Sequence, residues 1–309
     1  MSPQDKRIVV MMGGSSCERE VSLVSGAAVG AALVEAGYRT ETIDIGDDLG
    51  AVLAALDPKP DAIFNALHGR YGEDGCVQGL LELLHIPYTH SGVLASALAM
   101  DKPMAKRLFE TVGIPCAQHV IARRDDVLSG DVLPRPYVIK PLNEGSSVGV
   151  EIVLEDKELT ILKRNNWLFG DQVMVESYIA GRELTVAVMG DRALGVTELR
   201  TSEGFYDYNA KYTDGVTTHE VPAAVPPEIY QAALDHSLKA HEILGCRGVS
   251  RVDLRYDDTT DDPGELYMLE VNTQPGMTPL SLVPELAEYT GISFVELVSW
   301  MVENAACDG

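Results

Sequence analysis

The sequence predicts an α/β protein whose first third is an open, mostly parallel sheet and whose remainder takes an α+β character. Three observations carry this. Short apolar runs alternate with helix-like stretches up to about residue 67, and the strands lengthen beyond about Glu183. The 46% apolar content of the 309 residues is evenly spread, enough to core two or three compact lobes.

In chain order, residues 8–12 read as a strand, 21–36 as a small-residue helix closed by Gly37, and 39–45 as a second strand. Residues 49–56 then read as a helix and 62–67 as a third strand, the β-α-β-α-β order of a parallel sheet. Residues 80–84 are expected to be helical and are broken by Pro87; a second lobe is expected to begin near Leu98. There 102–112 reads as a helix, and 136–141 and 171–178 as strands. Strands over 184–189 and 193–199 follow, then a polar, aromatic loop at 201–217 and a helix at 227–244. Strands at 249–256 and 265–271 flank a turn-rich stretch, and 294–305 closes the chain as a helix.

Composition narrows the function. No stretch approaches the roughly 20 apolar residues of a membrane span, and the run 8–12 is too short for the core of a signal peptide. Five scattered cysteines, none in a Cys-x-x-Cys pair, fit reduced thiols in a cytoplasmic protein rather than a zinc or disulfide framework. The formal charge of −23 disfavours nucleic acid as a partner; its plain reading is solubility.

Four segments carry chemistry. In Arg251-Val252-Asp253-Leu254 the alternation puts Arg251 and Asp253 on one face, and in Leu269-Glu270-Val271-Asn272 it pairs Glu270 with Asn272. If these strands are neighbours, three oxygen ligands converge beside a guanidinium, as magnesium on nucleotide phosphates requires. The plainer reading is a row of solvent-facing charges. Lys140-Pro141 leads into Asn143-Glu144-Gly145-Ser146-Ser147-Val148-Gly149, a loop able to wrap phosphates that is not a Walker pattern. Lys102 before it, with Glu176 and Glu183 after it, makes a nucleotide cleft of what would otherwise be a turn.

At the N-terminus, Gly13-Gly14-Ser15-Ser16-Cys17-Glu18 follows the first strand but lacks the Gly-x-Gly-x-x-Gly spacing of a dinucleotide site. Glu18 is either a helix N-terminal charge or a grip on a substrate ammonium. His68, ending another strand, is either a loop residue or part of that site, and its titration depends on its surroundings. The aromatic stretch Phe205-Tyr206-Asp207-Tyr208-Asn209-Ala210-Lys211-Tyr212 reads as a lid that excludes water, or else as a fixed surface loop or subunit contact.

Taken in order, these blocks resemble the D-alanine–D-alanine ligases of the ATP-grasp family. The likeness also runs through Gly72-Glu73-Asp74-Gly75, Ser91-Gly92, Met100-Asp101-Lys102, Pro275-Gly276-Met277-Thr278 and Ser281-Leu282-Val283-Pro284, and covers nearly the whole chain. It implies a Rossmann-like N-terminal lobe (1–97) followed by a two-lobed ATP-grasp fold (98–182 and 183–309). It implies that Lys102, Lys140, Ser147, Glu176, Ile179, Glu183, Phe205 and Lys211 hold ATP. Asp253, Glu270 and Asn272 would carry Mg2+ or Mn2+, two ions in all. Glu18, Val21, His68, Ser281 and Leu282 would bind the two D-alanines. Glu18, Ser146 and Tyr212 would close the site, with Arg251 and the Gly276 N–H on the oxyanion. A homodimer serving peptidoglycan precursor synthesis is the implied setting.

This chain departs from the family pattern at Gln274, where serine is common, at Pro279 and Leu280, and at Ser177, where a lysine often frames the adenine. Rival readings are a ligase that uses D-lactate or D-serine as acceptor and a nucleotide-binding regulator that has lost catalysis. A dehydrogenase is disfavoured by the missing glycine spacing.

Overall fold

The computed structural model describes residues 2–145, 148–155, 159, 162, 167, 169–201, 217–259 and 263–308. These build three sheets. The first joins β1 (Arg7–Gly13), β2 (Arg39–Ile45) and β3 (Ala62–Asn65) in the order β2-β1-β3, all parallel. Helices α1 (Arg19–Glu35) and α2 (Leu49–Ala55) make the connections, so the expected open parallel sheet is present. Ile8 to Met11 are fully buried because the central strand is covered on both faces. Ile8 and Val10 join a core with Val29 and Leu33, whereas Val9 and Met11 join another with Val52 and Leu81.

Helix α3 (Cys76–Leu84) starts four residues before the expected residue 80. Polar residues hid its first turn. Cys76 N donates to Asp74 Oδ1 at 3.1 Å, and Gly75 N donates to Gln78 Oε1 at 3.1 Å. α4 (Val93–Met100) and α5 (Lys102–Thr111) follow, and Asp101 caps α5 by accepting from Met104 N at 3.0 Å.

The second sheet is antiparallel, with β4 (His119–Arg123), β5 (Tyr137–Lys140), β6 (Glu151–Val153) and β7 (Gln172–Ser177) in the order β4-β7-β5-β6. The strands β4 and β6 and the short helix α6 (Arg124–Ser129) were not expected from the sequence. β4 is half-exposed at a sheet edge and β6 has three residues, too few for a clear period.

The third sheet joins β8 (Arg182–Met189), β9 (Arg192–Thr201), β10 (Thr217–Glu220), β11 (Val249–Asp257) and β12 (Glu265–Asn272) in the order β10-β9-β8-β11-β12, again antiparallel. Helix α7 (Pro227–Ile243) covers one face through Ile229, Ala233 and Ala240, packed with Val186, Val196, Val252 and Leu254. α8 (Leu282–Tyr289) and α9 (Phe294–Glu303) lie between this sheet and the parallel one, so Val283, Leu286, Val298 and Met301 share a core with Val10, Phe64 and Ala187.

One irregularity aims the chemistry. Asp253 lies opposite Glu270, but Leu254 lies opposite Met268, which leaves Leu269 as an extra residue in β12. With unbroken alternation, Glu270 and Asn272 would share the face of Leu266 and Met268, which is buried in the core. The bulge reverses the parity and turns both polar side chains to the other face, with Asp253 and Arg251.

Candidate active site

The neighbouring strands β11 and β12 bring the expected polar set together. Arg251 Nε and Nη2 donate to Asp253 at 2.9 and 2.7 Å. Asn272 Nδ2 adds a bond to Asp253 Oδ2 at 3.1 Å, and Thr185 Oγ1 one to Oδ1 at 2.9 Å. Asp253 is only 6% exposed, which overturns the reading of these residues as solvent-facing charges. Opposite it, Glu270 takes Lys102 Nζ at 3.1 Å. Two carboxylates and one amide oxygen are hard donors of the kind Mg2+ takes, with room left for phosphates and waters. Among the described residues no three His, Cys, Asp or Glu side chains form a metal-binding group, so the protein oxygens this place offers an ion are the two carboxylates and the Asn272 amide oxygen.

Beside this set, the second and third sheets line an open cleft. Lys102, Lys140, Glu176, Ile179, Glu183, Asp253 and Glu270 all line it, so seven residues that sequence reasoning singled out meet on one surface. Their pairing is more specific than expected. Lys140 and Lys106 grip opposite oxygens of the buried Glu176 carboxylate. Burial alone would raise that carboxyl, but the charges of Lys140 and Lys106 outweigh it and bring it down to about 2. Burial lowers Lys140 in turn, against the pull of Glu176. Glu183 faces Arg255 at 3.5 Å, and Arg255 Nε donates to Ile179 O at 3.2 Å.

At the parallel sheet's carboxyl edge, Glu18 precedes α1 and is buried, with Val21 buried in the first turn. A Cβ at Gly145 would stand 3.3 Å from Glu73 Oε1 and 3.5 Å from Glu18 Oε2, so two carboxylates converge beneath the Gly/Ser loop. Burial first, then the charge of Glu18, pushes the Glu73 carboxyl up to about 8. His68 Nε2 lies 3.3 Å from Ser25 Oγ, which accepts from Met277 N at 3.2 Å. Burial lowers His68 to about 4, so the ring is neutral at neutral pH and brings no charge to a substrate carboxylate.

Gly276 packs so close to Ser281 that a Cβ would fall 2.9 Å from its hydroxyl oxygen. Ser281 precedes α8, yet its hydroxyl accepts from Thr278 N at 2.9 Å rather than capping the helix. The first-turn N–H groups, beginning at the buried Leu282, therefore have no side-chain cap, which is favourable for an anion. The expected residues Ser146, Ser147, Phe205, Lys211 and Tyr212 lie outside the described residues.

Sequence reasoning missed Lys106, Arg255 and Ser25, and quoted Glu73 without a role. The signal for Lys106 was available. Lys102, Ala105, Lys106 and Phe109 follow the i, i+3, i+4, i+7 spacing and form the buried stripe of α5, so a lysine at that position demanded a partner. The departures also find places. Gln274 is buried and bridges Asn65 to the Leu67 carbonyl, whereas Pro279 and Leu280 are exposed. Ser177 lines the cleft.

Comparison with known proteins identifies the family. Family models described as D-ala D-ala ligase C-terminus and D-ala D-ala ligase N-terminus match residues 108–303 and 50–91. The D-alanine–D-alanine ligase of Rhodospirillum rubrum is 58% identical over 304 residues, covering 98% of this chain and 99% of the relative. That of Acidiphilium cryptum is 58% identical over 302 residues, with 98% and 99% covered. Among solved structures, a Bacillus anthracis D-alanine–D-alanine ligase complexed with ATP superposes with a TM-score of 0.80 at 34% identity, covering 96% of each chain. The VanG D-Ala:D-Ser ligase of Enterococcus faecalis gives 0.80 at 31% identity, covering 97% of this chain and 99% of that one. With a family match over well more than half its length and relatives of this identity at both ends, the chain belongs to the D-alanine–D-alanine ligase family and has the ATP-grasp fold.

Proposed function

We propose that this protein joins two D-alanine molecules into D-alanyl-D-alanine, converting ATP to ADP and phosphate. The observation that carries the reading is the convergence of Lys102, Lys140, Glu176, Asp253 and Glu270 on one cleft. Arg251 stands at its end, bound to Asp253. The relatives named as D-alanine–D-alanine ligases support the substrate.

A carboxylate is a poor electrophile, because its charge is delocalised and its leaving group would be oxide. In this reading, one carboxylate oxygen of the first D-alanine attacks the γ-phosphorus of ATP and ADP departs. Lys102 and Lys140 offset the charge that spreads over the phosphoryl oxygens. Asp253, Glu270 and Asn272 would hold Mg2+ or Mn2+, two ions in all, which supply further charge neutralisation. The amine of the second D-alanine then attacks the acyl carbon, and phosphate leaves as the tetrahedral centre collapses. Arg251 and the Gly276 N–H stabilise the oxyanion of that centre, a kind of contact worth about 3–4 kcal/mol of barrier. Glu18 holds the ammonium of the first substrate, with Val21 and the neutral His68 beside it. The uncapped start of α8 at Ser281 and Leu282 receives the carboxylate of the second. Glu176, Ile179 and Glu183 take the adenosine end, and Ser147, Phe205 and Lys211 complete the ATP site. Ser146 and Tyr212 shut the substrate side. No covalent enzyme intermediate is needed.

The same reading divides the chain at 97/98 and 182/183 and places the protein in the cytoplasm as a homodimer supplying peptidoglycan precursors. No described helix is long and apolar enough to cross a membrane. The test is phosphate release from ATP with magnesium, one amino acid at a time. D-alanine should support turnover and L-alanine should not, because Glu18, Arg251 and Ser281 define one handed arrangement. Equal rates with both enantiomers would refute the assignment.

A further inference from the structure

Lys106 is fully buried, and among the described residues its ammonium touches an oxygen of Glu176 and the Met268 carbonyl of β12, the latter at 3.3 Å. It does not line the cleft, whereas Lys140 and Glu176 do. It therefore sits behind the working surface and, among the described residues, reaches that surface through Glu176. The carboxylate is shared, one oxygen to Lys106 and the other to Lys140.

This division has a consequence for ligand binding. A lysine that is the only counter-ion of a buried carboxylate cannot leave it without stranding that charge in a poorly solvated place. Lys140 has no such obligation, because Glu176 keeps a second ammonium when Lys140 turns elsewhere. The three groups together carry one excess positive charge next to the cleft, which suits an anionic ligand.

We propose that Lys106 is a positioning residue for nucleotide binding: it carries the charge balance of Glu176 and so frees Lys140 to contact phosphate. The inference rests on the reading of the cleft as a nucleotide site with Lys140 on its phosphates. Lys106 makes no contact with the nucleotide itself. A second task, tying α5 to β7 and β12, follows from the same two contacts, and the test must separate it from the first.

Calorimetry with ADP and with adenosine, both in the presence of magnesium, makes that separation. Lys106→Met should weaken ADP binding by about tenfold or more, since it unbalances a buried charge pair. Adenosine, which has no phosphate, should lose much less. In a Glu176→Gln background there is no carboxylate charge to balance, so Lys106→Met/Glu176→Gln should bind ADP as Glu176→Gln alone does. This second comparison stands even if Lys106→Met alone does not fold. Unchanged ADP affinity in Lys106→Met would overturn the proposal. So would an equal loss for adenosine, or a tenfold loss that persists in the Glu176→Gln background. Lys140→Met separates the two levels. If it binds ADP like the parent protein, the phosphate reading fails, and this inference with it. If it weakens ADP while Lys106→Met does not, only the role of Lys106 fails.

Discussion

Gln274→Ala should cost both stability and turnover, and the structure indicates how much. The Gln274 side chain is 2% exposed and acts as a two-ended link. Its Oε1 accepts from Asn65 Nδ2 at 2.6 Å, and its Nε2 donates to the Leu67 carbonyl. Asn65 Nδ2 also donates to Gly72 O at 2.9 Å, so truncation leaves it one bond short rather than without a partner. The other buried end, Leu67 O, loses the Gln274 amide. One orphaned acceptor, one half-lost donor and the small void together come to about 3 kcal/mol. A loss of that size should lower the melting temperature by about 5 °C in a chain of 309 residues. Gln274 also stands two residues before Gly276, so its loss should loosen the segment that carries the proposed oxyanion donor. The expected signature is a fall in kcat with little change in KM for ATP, because the cleft lining does not include this residue. Thermal unfolding and steady-state phosphate release read the two effects. A melting point within a degree of the parent, with kcat unchanged, would show that the link between Asn65, Gln274 and Leu67 does not hold this segment.

Three further outcomes follow from the site. Glu270→Gln should abolish turnover in a folded protein, whereas Asp253→Ala should also destabilise it, because Arg251, Thr185 and Asn272 all donate to that carboxylate; urea titrations of the two variants with equal midpoints would contradict this. Lys140→Ala should weaken ADP binding more than D-alanine binding, measured by calorimetry, and equal losses would move the phosphate contact elsewhere. Stability should decline below pH 6.5, because burial holds His68 and His241 at about 4 and His90 at about 3 in the fold, against 6.5 unfolded. Below 6.5 the unfolded chain takes up protons that these folded rings refuse, whereas Glu73, held at about 8 in the fold, binds a proton there that the unfolded chain does not and offsets one ring, so the net slope is about 3 kcal/mol per pH unit down to about pH 4.5. Unfolding midpoints that stay flat from pH 6.5 to 4.5 would refute the neutral, buried state of these rings.

Much of the fold was legible because period and punctuation agree over long stretches. β2 matches its expected ends, and α1 and α7 match to within about two residues. What the sequence hid falls into two physical classes. Short strands such as β4, half-exposed, and β6, of three residues, carry too few residues for a period to show. The second class is positional. Glu270 and Asn272 were paired on one face from local alternation, but that they share it with Asp253 rather than with the core depends on the bulge at Leu269, a property of two strands together. His68 was left between two roles because its titration depends on burial, which a single sequence does not report.

Net charge says little about how charge is arranged within the cleft. At −23 the chain should repel polyanions, and on that ground nucleic acid was set aside. The cleft lining is itself acidic, with Glu144, Glu176, Glu183, Asp253 and Glu270 against Lys102, Lys140 and Arg255. What distinguishes it is pairing: Glu176 holds Lys140 and Lys106, Asp253 holds Arg251, Glu270 holds Lys102 and Glu183 holds Arg255. Each carboxylate also holds its cations in fixed positions before any ligand arrives, which reduces the ordering cost of binding. A nucleotide entering the cleft therefore meets cations already oriented by acids. Removing an acid such as Glu176 should then loosen ATP binding rather than tighten it, although the change makes the site more positive. Calorimetry on Glu176→Gln tests that inversion, and tighter ADP binding would mean that the net charge of the cleft, and not the orientation of the lysines, governs affinity.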